Sequence, residues 1–368
     1  MNRYIRLGII GAQFGSSFQF HLHPDCTVEA VADLSPKGRN KLQMAYSCGK
    51  AYHSLEDLLK DDKIDAVFIA TPAPDHARHT IMALNAGKHV LCAVPVAFTI
   101  ADCYEVLKTV KRTGLIYMMA ETSYFRQSTL TAKNYYEKGN FGNIFNTIAE
   151  YSHPGLEDYF FQNNKPTWRH GLPPMFYPTH CIAFLTAVTN ERLVSVSCLG
   201  WRDQSELLKN NPYSNPFWNE RALFRTNKSN SFTVSINWKG SLRNVEKANW
   251  EGTNMSLYTS ENEDDLMTLV KKNHTTSYDD GGFRNAGSTV KEIEPVKWWQ
   301  TDLLPKPLRF NSGHGGSHCF ITHEFIDSIK NARKPVVGIE EALACTVPGL
   351  IAHASALRNG DSMEIPLF

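Results

Sequence analysis

The sequence lacks paired cysteines and long apolar runs. Its eight cysteines are scattered without a CxxC pair, which favours buried, reduced thiols over a disulfide framework or a zinc site. No apolar run reaches the roughly 18 residues of a membrane span, and the N-terminus enters a short strand without the apolar core of a signal peptide. These absences predict a cytoplasmic protein.

An excess of charge of either sign is also absent. The 38 Lys and Arg residues nearly balance the 37 Asp and Glu residues, and the formal net charge is +1. This balance gives no electrostatic reason to expect nucleic acid or an anionic membrane as a partner. What the sequence does have is 42% apolar residues over 368 positions, more chain than one core of roughly 250 to 300 residues accommodates. Two domains are expected.

The first domain is predicted to be a doubly wound α/β unit of the Rossmann type, over residues 1–122. Short β-rich runs alternate there with helical stretches that begin at Ser or Thr caps and end at glycines. Such an alternation requires crossover connections, which produce a parallel sheet covered on both faces. The predicted strands lie at 4–10, 27–33, 64–71, 89–94 and 115–120.

The second domain, residues 123–368, is predicted to be α+β with an open, mostly antiparallel sheet. Its apolar and polar residues alternate over longer runs, typical of strands with one solvated face. These runs lie at 143–153, 193–201, 230–238, 254–261 and 288–296, with long polar segments at 202–221 and 261–287 and closing helices at 319–332 and 340–360.

A partial dinucleotide-binding turn follows the first strand, in the segment GIIGAQFGSSF. Such a turn needs glycines so that the chain bends tightly and its backbone approaches the pyrophosphate. Gly11 fits the first position, but Gln13 occupies the second and Ser16 the third, with Gly15 adjacent. The turn alone is therefore weak evidence for a nucleotide site.

Asp33 strengthens the case, because it ends the second predicted strand 22 residues after Gly11. A carboxylate there accepts both ribose hydroxyls of NAD and repels a 2′-phosphate. The alternative is that Asp33 merely caps the next helix. Asp33 therefore predicts NAD. Because the cations Lys37 and Arg39 follow closely, NADP is disfavoured rather than excluded.

A longer segment, VFIATPAPDHARHTIMALNAGKHVLCAVPVAFT at 67–99, resembles a block of the Gfo/Idh/MocA family, relatives of glucose–fructose oxidoreductase and inositol dehydrogenase. Family members have a strand ending in T-P, a His that opens a helix, and AGKHVLCEKP. Segments 120–125, 138–144 and 177–180 resemble other family motifs. The resemblance implies an NAD(P)-dependent enzyme that transfers a hydride at a ring hydroxyl of a carbohydrate or cyclitol. It also implies a homodimer or homotetramer.

The turn and the resemblance together predict a set of cofactor contacts. These are Gly11, Gln13, Phe14, Gly15, Asp33, Thr71, Pro72, His76, Pro95 and Glu121.

Two departures from the family put the chemistry in doubt. Ala93, Val94 and Pro95 stand where the family has E-K-P, so the lysine that contacts the reacting hydroxyl is missing. Phe176 stands four residues before His180, where the family has Asp. His180 remains at the family's position for the base, and imidazole has a pKa suited to neutral pH.

Tyr177 is a candidate substitute for the missing lysine, since residues three apart share one side of a helix. Its phenol could donate to the oxygen that His180 deprotonates. Core packing is the alternative for both residues. Candidate substrate contacts, each weighed against simple packing or a plain loop role, are Tyr124, His153, Trp168 and His314.

No metal site is predicted. His314, His318 and His323 share one region, but the glycines and serine between the first two fix no ligand geometry.

Three functions remain open at this level. The first is a dehydrogenase that releases NADH. The second is a redox-neutral glycosidase or lyase that keeps NAD bound, as some family members do. The third is a catalytically silent protein that binds NAD or a sugar.

Overall fold

The structure is a computed structural model that describes residues 4–262, 265–273 and 287–368. The chain divides into two compact units. Unit 1 comprises residues 1–125, 298–350 and 368, and unit 2 comprises residues 126–297 and 351–367. Residues 298–350, which the sequence analysis placed in the second domain, pack with the N-terminal residues instead. The second domain is therefore not one continuous segment of chain.

The helices and strands of the described part have the following bounds. The helices are α1 Ala12–Gly15, α2 Pro36–Tyr46, α3 Leu55–Leu59, α4 His76–Asn85, α5 Ile100–Thr113, α6 Gln127–Glu137, α7 Thr179–Thr189, α8 Ser317–Lys330 and α9 Ile339–Leu357. The strands are β1 Ile5–Ile10, β2 Cys26–Ala32, β3 Ala51–Tyr52, β4 Ala66–Ile69, β5 His89–Cys92, β6 Tyr117–Met119, β7 Ile144–Ser152, β8 Phe161–Gln162, β9 Lys165–Pro166, β10 Leu193–Trp201, β11 Asn219–Thr226, β12 Ser231–Asn237, β13 Val245–Gly252, β14 Met255–Tyr258, β15 Met267–Lys272, β16 Ser288–Ile293 and β17 Met363–Glu364.

Unit 1 contains a parallel six-stranded sheet in the order β3-β2-β1-β4-β5-β6. The strand order reverses between β1 and β4, and open α/β sheets bind ligands at such a switch point. The five predicted strands and the doubly wound class are confirmed. Strand β3 was missed because two residues are too few to show a periodicity.

Side-chain caps fix where the helices of unit 1 begin. Ser54 accepts a hydrogen bond from the Asp57 N–H, and Thr99 accepts one from the Asp102 N–H. Capping satisfies backbone donors that the first helical turn leaves without a partner. These caps bring the segments after β3 and β5 back over the sheet.

Unit 2 contains a nine-stranded sheet in the order β16-β15-β14-β13-β7-β12-β11-β10-β17. The pairing of β12 with β7 is parallel and the other neighbouring pairs are antiparallel, so the mostly antiparallel prediction is confirmed. Strand β15 was missed because it lies inside a segment that the sequence analysis assigned to polar loops.

The two faces of this sheet differ. One face packs against α7 and buries large side chains such as Phe224 and Trp250. The Trp250 indole N–H also donates to the Phe184 carbonyl at 3.0 Å, which fixes the helix on the strand. The opposite face of β10 and β11 exposes Leu199, Trp201 and Leu223 by 63%, 50% and 57%.

All eight cysteines are buried and none forms a disulfide, as the sequence predicts. Among the described helices, none combines the length and apolar character needed to cross a bilayer.

Candidate functional site

The turn after β1 accepts only glycine at its first position. Gly11 has φ +96°, and a Cβ added there would lie 2.2 Å from the Ala70 carbonyl oxygen. Any side chain would therefore push apart the ends of β1 and β4. The turn brings the carboxyl ends of the two strands as close as a dinucleotide-binding fold requires.

Gly15 takes the role that the sequence pattern assigns to the third glycine. A Cβ on Gly15 would lie 3.1 Å from Ile9 Cγ2 and 3.4 Å from the Ala70 methyl, so α1 packs closely on the sheet. Gln13, at the second position, is exposed. The Phe14 ring packs on Phe18 at 5.1 Å between ring centroids.

Asp33 follows β2 and points at the turn. Its Oδ2 accepts a hydrogen bond from the Ala12 N–H at 2.8 Å, and Oδ1 accepts one from the Ser35 N–H at 2.8 Å. A Cβ at Gly38 would lie 2.3 Å from the Asp33 carboxyl carbon, so glycine leaves room for this carboxylate. The Arg39 guanidinium donates to the backbone carbonyl of Asp33 at 2.7 Å.

These residues fit NAD. A carboxylate offers about four lone-pair positions, so Asp33 retains acceptor capacity for ribose hydroxyls. The turn at Gly11 lies at the switch point, where a pyrophosphate binds in such folds.

His76 supports two neighbouring loops of unit 1. It is 1% exposed, its Nδ1 lies 2.8 Å from the Pro95 carbonyl oxygen, and its Nε2 lies 2.9 Å from that of Thr71. Burial lowers the pKa of His76, while the two carbonyl contacts oppose this effect. The imidazole joins the loops after β4 and β5, so we expect it to position Thr71, Pro72 and Pro95 rather than touch the cofactor.

Glu121 and Tyr124 are also fixed inside unit 1, after β6. Glu121 is fully buried, and its Oε1 accepts a hydrogen bond from the Ser123 N–H at 2.9 Å. The Tyr124 ring packs on Phe125 at 5.6 Å, and Tyr124 is 8% exposed.

In unit 2, His180 lies in the first turn of α7 within a cluster of aromatic rings. Its ring centroid is 4.9 Å from that of Tyr151 and 5.3 Å from that of Tyr177. The two phenol rings stack at 6.2 Å, and Tyr151 also meets Trp238 edge-on at 5.9 Å. The cluster combines an imidazole with two phenols, the groups that acid–base chemistry on a hydroxyl needs.

A carboxylate approaches His180 from the sheet. Glu246 Oε1 lies 4.0 Å from His180 Nδ1, and the Arg126 guanidinium holds both Glu246 oxygens, with Nε donating at 2.7 Å. The side chains of these three residues are at most 11% exposed. Glu246 pairs directly with Tyr151 across β13 and β7, so strand register places both beside His180.

A second buried carboxylate, that of Glu220, holds the turn before α7 by a hydrogen bond. Glu220 is fully buried, accepts the Met175 N–H at 2.7 Å and contacts His353 Nδ1 at 2.8 Å. Phe176, at the position where the family has Asp, lies edge-on to the His353 ring at 5.3 Å.

His153 extends the aromatic cluster at the end of β7. Its ring centroid is 6.4 Å from those of Tyr151 and Tyr159. Trp168 is half-buried, and its carbonyl accepts a hydrogen bond from the Tyr213 hydroxyl. The structure thus connects His180, Tyr177 and His153 within unit 2.

His314 lies in unit 1. Its ring is 6.1 Å from Phe14, and its Nδ1 is 2.8 Å from His318 Nε2. His323 instead contacts His23 at 3.0 Å. Within residues 4–262, 265–273 and 287–368, no group of three or more His, Cys, Asp or Glu side chains is arranged to hold a metal ion.

Sequence reasoning missed several residues of the unit 2 cluster. These residues, Tyr151, Trp238, Glu246 and Arg126, each look ordinary in the sequence. Strand pairing places Glu246 opposite Tyr151, Trp238 follows the end of β12, and Arg126 reaches Glu246 from the residue before α6. The alternation of β7 could have signalled that Tyr151 shares a face with His153 two residues later.

Comparison with known proteins gives a family match for the N-terminal part of the chain. Residues 5–121 match the GFO_IDH_MocA family, described as an oxidoreductase family with an NAD-binding Rossmann fold. Over these residues the match confirms the resemblance found in the sequence and the NAD cofactor.

Individual relatives resemble the whole chain. A glycosyl hydrolase family 109 protein of Solibacter usitatus is 25% identical, with 100% of this chain and 89% of that protein covered. An NAD binding oxidoreductase from Klebsiella pneumoniae has a similar fold, with TM-score 0.81, 17% identity and 100% of both chains covered. Levoglucosan dehydrogenase in complex with NADH and levoglucosan gives TM-score 0.81 and 18% identity over 99% of this chain and 100% of the other.

Proposed function

We propose that the protein is an NAD-dependent enzyme that acts on a carbohydrate or cyclitol by hydride transfer at a ring hydroxyl. The observation that carries this proposal is the contact of His180 with two phenols and a carboxylate in unit 2. It agrees with the NAD-binding family match and with a neighbour in fold that binds NADH and levoglucosan.

In this mechanism bound NAD supplies the acceptor for the hydride that leaves the hydroxyl-bearing carbon. His180 accepts the hydroxyl proton as general base. The Tyr177 phenol donates a hydrogen bond to the same oxygen and takes over the role of the family's missing lysine. Glu246, held by Arg126, stabilises the protonated imidazole from 4.0 Å. His153 and Trp168 are proposed to contact the sugar from the edge of the cluster, and Tyr124 and His314 are the candidate substrate contacts of unit 1.

The second candidate is a redox-neutral glycosidase, favoured by the full-length similarity to a glycosyl hydrolase family 109 protein. Oxidation of a ring hydroxyl to a ketone acidifies the neighbouring C–H bond. Removal of that proton expels the glycosidic oxygen, water adds to the resulting double bond, and return of the hydride restores the hydroxyl. Glycoside and water are consumed, and no NADH accumulates.

One assay separates the two reactions. The purified protein is incubated with free sugars, cyclitols and nitrophenyl glycosides, while NADH absorbance and nitrophenol release are followed together. NADH production from free sugars supports the dehydrogenase. Glycoside cleavage without net NADH supports the redox-neutral enzyme, as does NAD found by mass analysis of the denatured protein. Neither signal across a broad panel contradicts the proposed function.

We also propose a cytoplasmic homodimer or homotetramer. The exposed apolar side chains of Leu199, Trp201 and Leu223 on one face of the unit 2 sheet are suited to pairing with a second copy. A solution mass at a multiple of 41.5 kDa is expected from light scattering, and a mass equal to one chain contradicts this assembly.

A further inference from the structure

We propose that His318 is a positioning residue for the turn at Gly11, the proposed NAD site. From the first turn of α8 it holds the segment that contains and follows helix α1, and so keeps the turn in the shape that binds the dinucleotide. His318 lies 301 residues after Ser17, the residue whose backbone it contacts. The inference concerns the cofactor and goes beyond the proposed reaction on a sugar.

Helix α1 is too short to fix the turn by itself. It has four residues, Ala12–Gly15, and therefore makes a single helical turn. Such a helix is marginal in water, because stability accumulates only after the first turn has formed. Its last carbonyl groups also have no partners in a continuing helix. The residues that follow Gly11 therefore depend on contacts from other elements of unit 1.

His318 supplies one of these contacts. Its Nδ1 lies 2.9 Å from the Ser17 carbonyl oxygen, and Nδ1 carries the proton because a carbonyl only accepts. The Gln19 side chain donates to the same oxygen at 2.8 Å, but it belongs to the same segment and does not anchor it. The buried imidazole also stacks on Phe18 at 4.2 Å and meets the Phe14 ring edge-on at 5.8 Å. One side chain thus holds both the backbone and two rings of the segment.

The glycine-rich loop before α8 leaves room for this ring. A Cβ at Gly313 would lie 2.5 Å from His318 Cε1, and a Cβ at Gly316 would overlap the Trp298 ring. On the other side of the imidazole, Nε2 lies 2.8 Å from His314 Nδ1. The loop is therefore closely packed, as a device that places His318 requires and a plain entry to a helix does not.

Tyr46 holds the same segment from the end of α2. Its buried hydroxyl lies 2.5 Å from the Gly15 carbonyl oxygen and 3.2 Å from that of Phe18. With the Ser17 carbonyl at His318, three carbonyls at and after the end of α1 contact side chains of α2 and α8. Side chains of other elements thus provide the partners that a longer helix would provide from its own backbone.

These anchors matter for NAD because the turn departs from the glycine pattern. Gln13 and Ser16 occupy the second and third glycine positions. A pyrophosphate in such folds is bound by backbone N–H groups, so affinity depends on how well the backbone is held before binding. Loss of the His318 anchor should therefore weaken NAD binding even though the turn itself is unchanged.

The test measures NAD affinity by fluorescence titration of the full-length protein, without a sugar. His318→Phe keeps an aromatic ring but removes the donor to Ser17, and it should bind NAD about 5- to 10-fold more weakly, the effect of one lost hydrogen bond. His318→Asn places an amide donor near the former Nδ1 and should recover part of the affinity. His323→Phe is the matched control, because His323 belongs to the same helix but contacts His23 instead.

Two further variants guard against a His318 variant that does not fold. Gly313→Ala keeps His318 but displaces its ring, and Tyr46→Phe removes a single hydroxyl from the second anchor. Each should weaken NAD binding by about 3-fold or more. Thermal unfolding of the NAD-free proteins checks that they are folded. Hydrogen exchange over residues 11–18 of the NAD-free protein should be faster in His318→Phe than in the wild type.

Three results overturn the inference. The first is an NAD affinity of His318→Phe within about 2-fold of the wild type, the scatter expected of unrelated sites. The second is an equal loss in His323→Phe, which would mean that α8 as a whole is destabilised. The third is a wild-type protein that does not bind NAD. Failure of the sugar assay contradicts the proposed function alone, because none of these measurements uses a sugar.

Discussion

The two units specify their proposed functional residues in different ways. In unit 1 the proposed cofactor residues depend on backbone geometry, as at Gly11, where any side chain would meet Ala70. In unit 2 the cluster around His180 depends on register, because His180, Tyr151 and Glu246 come from a helix and two paired strands. Local motifs therefore predict the proposed cofactor site, whereas the cluster around His180 emerges only from tertiary structure.

The largest effect that tests this division is expected from His180→Ala. Loss of a positioned base should lower turnover by about 10³-fold, because general base catalysis contributes about 10² to 10⁴. NAD affinity should stay within about 2-fold, since the change lies in unit 2. Steady-state kinetics and NAD titration measure the two effects. His21→Ala, at an exposed histidine, is the control. Unchanged turnover in His180→Ala would exclude His180 as the base. Absence of turnover in the wild type as well would favour the third function, a catalytically silent protein that binds NAD or a sugar.

Gly11→Ala, a change in unit 1, should act on NAD affinity instead. The added methyl meets the Ala70 carbonyl at 2.2 Å in a left-handed backbone conformation, so NAD affinity should fall by about 100-fold or more. Gly49→Ala, whose Cβ would meet nothing within 4 Å, should leave it unchanged. Fluorescence titration with NAD distinguishes them. Equal affinities in the two variants would mean that NAD does not depend on this turn.

Acid should destabilise unit 1 through its buried histidines. Burial lowers the pKa of His23 to about 4, with a further contribution from His323. Below pH 6.5 the unfolded chain binds the proton first, so the stability that His23 contributes is lost progressively down to about pH 4. Each pH unit is worth about 1.4 kcal/mol, which gives a loss on the order of 3 kcal/mol.

Denaturant unfolding at several pH values measures this loss, and His23→Gln should reduce it. His23 Nδ1 accepts the Asp25 N–H at 3.0 Å, so protonation must break that hydrogen bond. The other charged groups that act on His23 are Asp25 and Asp327, which favour its protonation, and Lys330, which opposes it. A stability that is independent of pH from 6.5 to 4.5 would contradict the expectation.

Tyr177→Phe should lower turnover by about 10- to 100-fold, with little change in the Michaelis constant. The phenol is proposed to act on charge that develops during reaction, and one such donor is commonly worth about 10² or more. Tyr104→Phe removes an exposed hydroxyl of unit 1 and is the control. A rise in the Michaelis constant alone would make Tyr177 a binding residue.

The smallest effect is expected from Glu246→Gln. A carboxylate 4.0 Å from His180 Nδ1 favours the protonated imidazole, so its removal should move the acid limb of the pH–rate profile to lower pH. Arg126 partly neutralises the carboxylate, and a shift of less than about one pH unit is expected. Glu246→Asp keeps the charge, so its pH–rate profile should match that of the wild type. A shift to higher pH would contradict this role.

The sequence alone predicted the parallel sheet, the NAD cofactor and the turn at Gly11, because strand–helix alternation and glycine requirements are local. It also located His180 through a family resemblance. It could not predict that residues 298–350 pack with unit 1, since the division falls inside helix α9, between Leu350 and Ile351, and not at a loop. Nor could it place Glu246, since its position opposite Tyr151 depends on strand pairing between segments about 95 residues apart.

The contact between His76 and Pro95 explains how the chain tolerates the loss of the family's lysine. The backbone of this loop is anchored from outside, by the His76 imidazole at the Pro95 carbonyl and by the Thr346 hydroxyl, which accepts the Val96 N–H at 3.3 Å. The position of this backbone therefore does not depend on a charged side chain at 93 or 94, where the buried side chains of Ala93 and Val94 stand.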